Sequence, residues 1–349
     1  MTDVDALARV RAVFPQLADA QIEPLRGGLI NTSYQVSAGE ARYVLQRVNP
    51  IFSPAIHGNI AVVTERLRAH GIGTFILERN GEGELSTDLG EDGRWRLLTR
   101  IAGVGFDVCD TPGQARSAGA LVARFHGALA DLDEALAPTG RSAVHDPPHH
   151  FRNLQQALRS HSEHRYWRDV AALAERVERA SATWEPLDDL PQRICHGDLK
   201  FNNVLFEGEG PREREHAVAL IDLDTVDRMP LWAELGDAWR SWCNARGEDS
   251  TEAELDAARL AAAVSGYLDA AAIELEPRER LSLAHGVERI SLELSSRFAA
   301  DALAERYFGW DPGRYQTRGE HNLVRACGQL SLHDQLRETR TERLRLLAG

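Results

Sequence analysis

The hydrophobic period of the chain changes near residue 103, and that change limits the folds open to it. Before it, short β-branched and aromatic runs such as "IEPLRGGLINTSYQV" (22–36) and "RYVLQRV" (42–48) are cut by Gly-rich turns, which is a strand signal. "FILERNGEGELSTDLGEDGRWRLLTRI" (75–101) reads as two or three more strands, punctuated by "NGEG" and "EDG". Residues 4–14 and "NIAVVTERLRAHGI" (59–72) have apolar residues at helical spacing. After residue 103, "GQARSAGALVARFHGALADL" (113–132) and residues 150–181 read as helices, and from about residue 252 the chain is almost all Ala, Leu, Arg and Glu in helical order. The expectation is an α+β chain: a small β-rich lobe (1–102), a larger helical lobe (103–349), and "LLTRIAG" (97–103) between them.

Residues 194–226 hold two short apolar segments around "ICHGDLKFNNVLF" (194–206). Lys200, in that stretch, is the sole lysine; all other basic residues are arginine. Phosphoryl transfer from ATP needs a carboxylate to orient the acceptor hydroxyl, oxygen ligands for Mg²⁺, and donors that hold the phosphates. "HGDLKFNN" followed by "LIDLD" supplies these. Asp198 follows a short strand, Asn203 returns five residues later, and Asp222 ends the apolar run 217–221. Hard oxygen ligands of this kind suit Mg²⁺. The arrangement parallels a kinase catalytic-loop Asp, its Asn and a second metal-binding Asp, with His-Gly-Asp in place of His-Arg-Asp.

The net charge of −13 argues against a general nucleic-acid or anionic-membrane binder. Cys109, Cys195, Cys243 and Cys327 are far apart and form no CxxC, as expected of reduced thiols in a cytoplasmic protein. No apolar run approaches membrane-spanning length, and "MTDVDALARV" lacks a signal-peptide core.

"HGDLKFNNVLF", "LIDLDT" (220–225) and "LGDAWR" (235–240) together resemble, in order and spacing, the aminoglycoside phosphotransferase and choline kinase group. The resemblance runs nearly end to end and implies a bilobal protein-kinase-like fold with ATP and Mg²⁺. "YVLQRVN", "WRLLTRIAG", "LIDLDT" and "SLELSSRFAADALAERYFG" further resemble bacterial N-acetylhexosamine 1-kinases, which implies a sugar acceptor phosphorylated at its anomeric hydroxyl. It implies Asp198 as catalytic base and Asn203 and Asp222 as metal ligands, with Asp224 either a third ligand or a loop cap. His196 is expected to order the catalytic loop, and Asp237 to brace it from a helix start. A lysine two residues after the base reaches the γ-phosphate as a flexible point charge, which gives Lys200 a catalytic reading.

The nucleotide side departs from the kinase pattern. "RGGLINTSY" (26–34) can lay backbone N–H groups of Gly27, Gly28 and Asn31 over phosphates, or form a plain hairpin. The usual strand lysine is absent. Gln46 or Arg47 must stand in, and strand alternation allows only one of them to face the cleft. Glu65 is a possible partner or a solvated acid, and residues Leu98 to Ile101, including Arg100, form a hinge that offers backbone groups to adenine. For the acceptor, Arg297 provides a forked donor, or pairs with Glu293 at i,i+4 on a solvated face. Phe106 and Asp107 line the pocket or serve as core and cap, Trp232, Trp239 and Trp242 read as core, and "HDPPHH" (145–150) reads as a solvated loop rather than a metal cluster. Other acceptors (an amino alcohol, another sugar, an aminoglycoside) and a pseudokinase stay open as alternatives.

Overall fold

The structure, a computed structural model, describes residues 3–25, 30–132, 136–137, 145–187 and 189–348. The first part opens with helix α1 (Asp3–Val13) and strands β1 (Gln21–Leu25), β2 (Thr32–Ala38) and β3 (Ala41–Val48). Helix α2 (Ile56–Ala69) and strands β4 (Leu77–Glu78), β5 (Thr87–Asp88) and β6 (Arg94–Thr99) follow. These strands form one antiparallel sheet in the order β1-β2-β3-β6-β4, with β5 on β6. A two-residue turn joins β2 to β3, where Gly39 adopts φ +60°, the left-handed conformation such hairpins require.

Alternation along the strands gives this sheet two different faces. Tyr34, Val36, Leu45, Trp95 and Leu97 are buried in a core with Val10, Phe14 and Leu17 from the α1 side. The opposite face presents Ser33, Val44, Gln46, Arg96 and Leu98 to a cleft. One residue of slip would exchange the two sets, so burial of the first set fixes which side chains meet the cleft.

The rest of the chain is mainly helical: α3 (Pro112–Leu129), α4 (Pro147–Ser160), α5 (Trp167–Ser181), α6 (Leu231–Cys243), α7 (Ala257–Ala270), α8 (Pro277–Ala304), α9 (Arg318–Glu338) and α10 (Arg340–Ala348). The 150–181 expectation resolves into two helices, α4 and α5, both strongly amphipathic. Short strands lie within this part: β7 (Val104–Gly105), β8 (Gln192–Cys195), β9 (Val204–Phe206), β10 (Ala217–Leu220) and β11 (Asp227–Pro230). They pair antiparallel as β10-β9-β7 and β11-β8, and so hold the loops after β8 and β10 side by side. Helix α8 is buried nearly all round and packs against α4, α5, α6, α9 and α10. It meets α6 where a Cβ on Gly286 would lie 2.1 Å from the Trp232 carbonyl, so only glycine permits that approach. Trp232, Trp239 and Trp242 are buried core residues. No described helix is long and apolar enough to cross a membrane.

Candidate active site

The loop after β8 is held from below. His196 is fully buried, its Nε2 donates to the Ile221 carbonyl (2.8 Å), and its Nδ1 accepts the Asp198 N–H (3.3 Å). Because Ile221 directly precedes Asp222, this imidazole ties the two acid-bearing segments together. Gly197 has φ +79°, and a Cβ there would lie 2.5 Å from the Thr225 carbonyl, so the loop admits no other residue.

The brace is Glu234 rather than Asp237. Its two carboxylate oxygens accept the backbone N–H groups of His196 (2.7 Å) and Gly197 (2.9 Å). Burial pushes this carboxyl up, but His126 and the loop amides outweigh it and hold it below the ordinary glutamate range. Glu234 lies one helical turn before the expected residue, in the first turn of α6, where the N-terminal dipole favours an acid. Asp237 instead accepts from Arg240 Nε (3.1 Å) and Nη2 (2.9 Å). Trp242 adds a second support, with Nε1 donating to the Leu199 carbonyl (2.7 Å). Cys195 lies with His126 and Glu234 in the same interior cluster, where burial holds its thiol protonated and the loop amides occupy the Glu234 oxygens.

Above this support the polar side chains converge. Asp198 Oδ2 accepts from Lys200 Nζ (2.8 Å) and Asn203 Nδ2 (3.2 Å), and the same Asn203 amide donates to the Asp198 carbonyl (2.8 Å). Burial works against the Lys200 charge, but Asp198, then Asp222 and Asp237, hold its pKa above the ordinary lysine value. Asp222 sits in the left-handed region (φ +65°), and its carboxylate has no hydrogen-bond partner among the described residues. Burial and the neighbouring Asp224 push its pKa up, which marks an acid short of a positive partner. The Asn203 amide nitrogen is committed to Asp198, which leaves its oxygen. That oxygen and the unpaired carboxylate are a hard donor set fitted to a divalent cation such as Mg²⁺.

Asp224 is engaged differently. Its Oδ1 accepts from Arg96 Nη1 (2.6 Å), and its Oδ2 from Arg96 Nη2 (3.0 Å) and Asn31 Nδ2 (2.7 Å). Burial pushes this carboxyl up, yet Arg96 and Asn31 hold it below the ordinary aspartate range. With both oxygens bonded to protein, Asp224 acts as a counter-ion to the sheet rather than as an open metal ligand.

The sheet and this loop region enclose a cavity. Asn31, Gln46, Leu98 and Arg100 line it from the sheet side, and Lys200, Asn203 and Asp222 from the other. Val44 and Leu98 face Leu205 and Ile221 within it, an apolar pair of walls suited to a flat heteroaromatic ring. Arg100 Nη1 also donates to Gln35 (2.6 Å). Of the two candidates on β3, Gln46 faces the cavity, while Arg47 points to the other side of the sheet, as strand alternation requires, and is itself exposed. Glu65 is exposed on α2. Gly27 and Gly28 lie outside the described residues. Arg96 was not a sequence-level candidate: in "GRWRLLTR" it is one arginine among three, and only its register opposite Gln46 singles it out.

Arg297 lies on a buried face of α8, 3.7 Å from the fully buried Glu293, so the pair is not solvated. His145 Nδ1 meets the same Glu293 oxygen at 3.1 Å, and His150 lies 3.9 Å away. The "HDPPHH" stretch is therefore a helix start and not a solvated loop: Asp146 caps α4, accepting the His149 N–H (3.0 Å), and the two prolines occupy the first turn. His145 and Arg297 lie within electrostatic reach of Asp237, which in turn reaches Lys200. Asp107 lines the cavity, and Phe106 packs on Phe206 (5.5 Å between centroids).

An aminoglycoside phosphotransferase from Alicyclobacillus acidocaldarius shares this fold at TM-score 0.62 and 16% identity, over 95% of this chain and 96% of that one. The amicoumacin kinase hAmiN, in complex with AMP-PNP, Ca²⁺ and Ami, matches at TM-score 0.62 and 12% identity, over 96% and 94%. A choline/ethanolamine kinase family protein from Mesorhizobium loti matches at TM-score 0.57 and 17% identity, over the full length of both chains. The profile of the APH phosphotransferase enzyme family matches residues 21–273. With its kinase-like fold and most of its length inside that profile, the chain belongs to the phosphotransferase enzyme family.

Proposed function

We propose that this small-molecule kinase passes the γ-phosphoryl group of ATP to the anomeric hydroxyl of an N-acetylhexosamine, with Asp198 as general base. The observation that carries the kinase chemistry is the cluster Lys200–Asp198–Asn203, whose Lys200 and Asn203 line the cavity together with the unpaired Asp222. Asp198 Oδ2 is held by Lys200 and Asn203, so Oδ1 is the oxygen left to orient the acceptor hydroxyl and take its proton. Lys200 presents its charge on the side where negative charge grows in transfer. Asn203 and Asp222 would hold Mg²⁺, which when bound neutralises charge on the transferring phosphates. The Ca²⁺ and AMP-PNP held by the amicoumacin kinase are consistent with a divalent cation beside the nucleotide. Residues 1–102 supply the nucleotide wall, and residues 103–349 the catalytic loop and the acceptor side.

A neutral acceptor is favoured by the charge balance around Asp237, whose charge reaches Lys200. Asp237 carries Arg240, and Glu293 carries Arg297 and His145. A cationic acceptor would need acids without cations already on them, whereas a sugar with hydroxyl and acetamido groups can use both signs of partner. Arg297 supplies the forked donor in this reading.

The test is ADP release with ATP and Mg²⁺ across GlcNAc, GalNAc, glucose, glucosamine, choline, homoserine and kanamycin. Turnover on an N-acetylhexosamine that disappears in Asp198→Asn supports the proposal. Turnover confined to choline, homoserine or kanamycin keeps the kinase and discards the sugar.

A further inference from the structure

A phosphate-gripping cation is expected on the middle strand of the nucleotide wall, and β3 offers none to the cleft. Val44 and Gln46 face the cavity there, and both are uncharged. The positive charge stands one strand over. Arg96 on β6 is paired directly opposite Gln46, lines the same cavity, and is only 2% exposed.

Its orientation is tightly determined. Gln46 Nε2 donates to Ser33 Oγ (3.1 Å), which turns the Gln46 amide oxygen toward Arg96. That oxygen accepts from Arg96 Nε (2.9 Å) and Nη2 (2.7 Å). Asp224 accepts from Nη1 and Nη2. A guanidinium has five N–H donors, and these four bonds leave one on Nη1. The charge also reaches Asp222, the unpaired acid that lines the same cavity. A buried arginine used for stability alone is a weak device, since desolvation offsets much of the pairing energy.

We propose that Arg96 is the cation that grips the nucleotide phosphates in this protein, with the task moved from β3 to β6. Gln46, at the position where a lysine would stand, aligns the guanidinium plane. Asp224 is the counter-ion, so the cation is steered by the segment that carries Asp222 and not by an acid on α2, whose Glu65 is exposed. The inference rests on the kinase reading of the cavity.

The experiment is equilibrium binding of ATP, ADP and adenosine to the full chain without acceptor. Arg96→Met should weaken ATP and ADP by about 10–100-fold, the range of a charged hydrogen bond, and leave adenosine within about twofold. Arg96→Lys, which keeps a cation and is the second variant if Arg96→Met does not fold, should lose less ATP affinity, again with adenosine unchanged. Gln46→Lys/Arg96→Met, which returns the charge to β3, should recover at least about tenfold of the ATP affinity. ATP affinity unchanged in Arg96→Met overturns the proposal, and so does an Arg96→Lys variant that binds ATP no better than Arg96→Met. So does an equal loss of ATP and adenosine, which is the mark of a merely structural arginine. A wild type that grips ATP through Arg96 yet transfers phosphate to no acceptor in the panel would sink the kinase reading alone.

Discussion

The two walls of the cleft are built in opposite ways. The lower wall takes its chemistry from one short loop: His196, Asp198, Lys200 and Asn203 lie within eight residues, with Asp222 tied beside them through the His196–Ile221 bond. The upper wall takes Ser33, Gln46 and Arg96 from three different strands and joins them side by side. A loop motif keeps its geometry because its residues share one backbone turn and one buried support. A cross-strand cluster keeps its geometry only while the sheet register holds. The lower wall should therefore fail through single chemical changes, and the upper wall through changes of register or charge position.

Predictions from this contrast run from large effects to small. Asp198→Asn should lower kcat by about 10²–10⁴-fold while leaving ATP affinity near wild type, because it removes the proposed proton acceptor without touching the upper wall. A matching loss of ATP binding would show that the two walls are not separable. Glu234→Ala should cost about 3–5 kcal/mol of stability in denaturant titrations, since two loop amides lose a fully buried charged partner. If Asp237→Ala cost more than Glu234→Ala, the loop would be braced by the other acid. Arg297→Ala should raise the acceptor KM by about 10–100-fold with ATP binding unchanged, which checks that the acceptor side belongs to the lower wall.

Protonation adds a further test. Burial opposes the charge on His145, but Glu293 and then Asp237 hold its pKa above the ordinary value near 6.5. The folded state therefore binds this proton more tightly than the unfolded state. The resulting stability is complete below about pH 6.5 and is lost as pH rises through the folded value. Wild-type stability should fall relative to His145→Gln over that interval, as read from melting temperatures at stepped pH. Parallel curves would place the His145–Glu293 contact outside the proton linkage. The smallest effect belongs to Glu65→Gln, which should change stability by under about 0.5 kcal/mol and leave ATP affinity alone, because this acid is exposed on α2.

Much of the lower wall was legible in the sequence. The spacing of "HGDLKFNN" and "LIDLD" brings Asp198, Asn203 and Asp222 to one place, and the solitary Lys200 lies with them, 2.8 Å from Asp198. The acid that braces the loop was harder to read. Glu234 and Asp237 are one helical turn apart on α6, and the spelling does not say which turn meets the loop. The docking of α6, with Gly236 against Gly286 on α8, decides it. The "HDPPHH" stretch read as solvent-facing because prolines and polar residues mark loops as readily as helix starts. Asp146 capping and the buried Glu293 settle it the other way.

By itself the sequence determined what proximity along the chain can determine: a strand-rich first part, a helical second part, and a loop that gathers His196, Asp198, Lys200 and Asn203 within eight residues. Tertiary structure decided what depends on register and burial: Gln46 rather than Arg47 toward the cleft, Arg96 beside it, Asp224 bound to that arginine, and Arg297 on a buried face. The physical reason is the reach of the interactions. A local turn is specified by its own residues, whereas the partner of a strand residue or a buried charge is chosen by whichever distant segment excludes water from it.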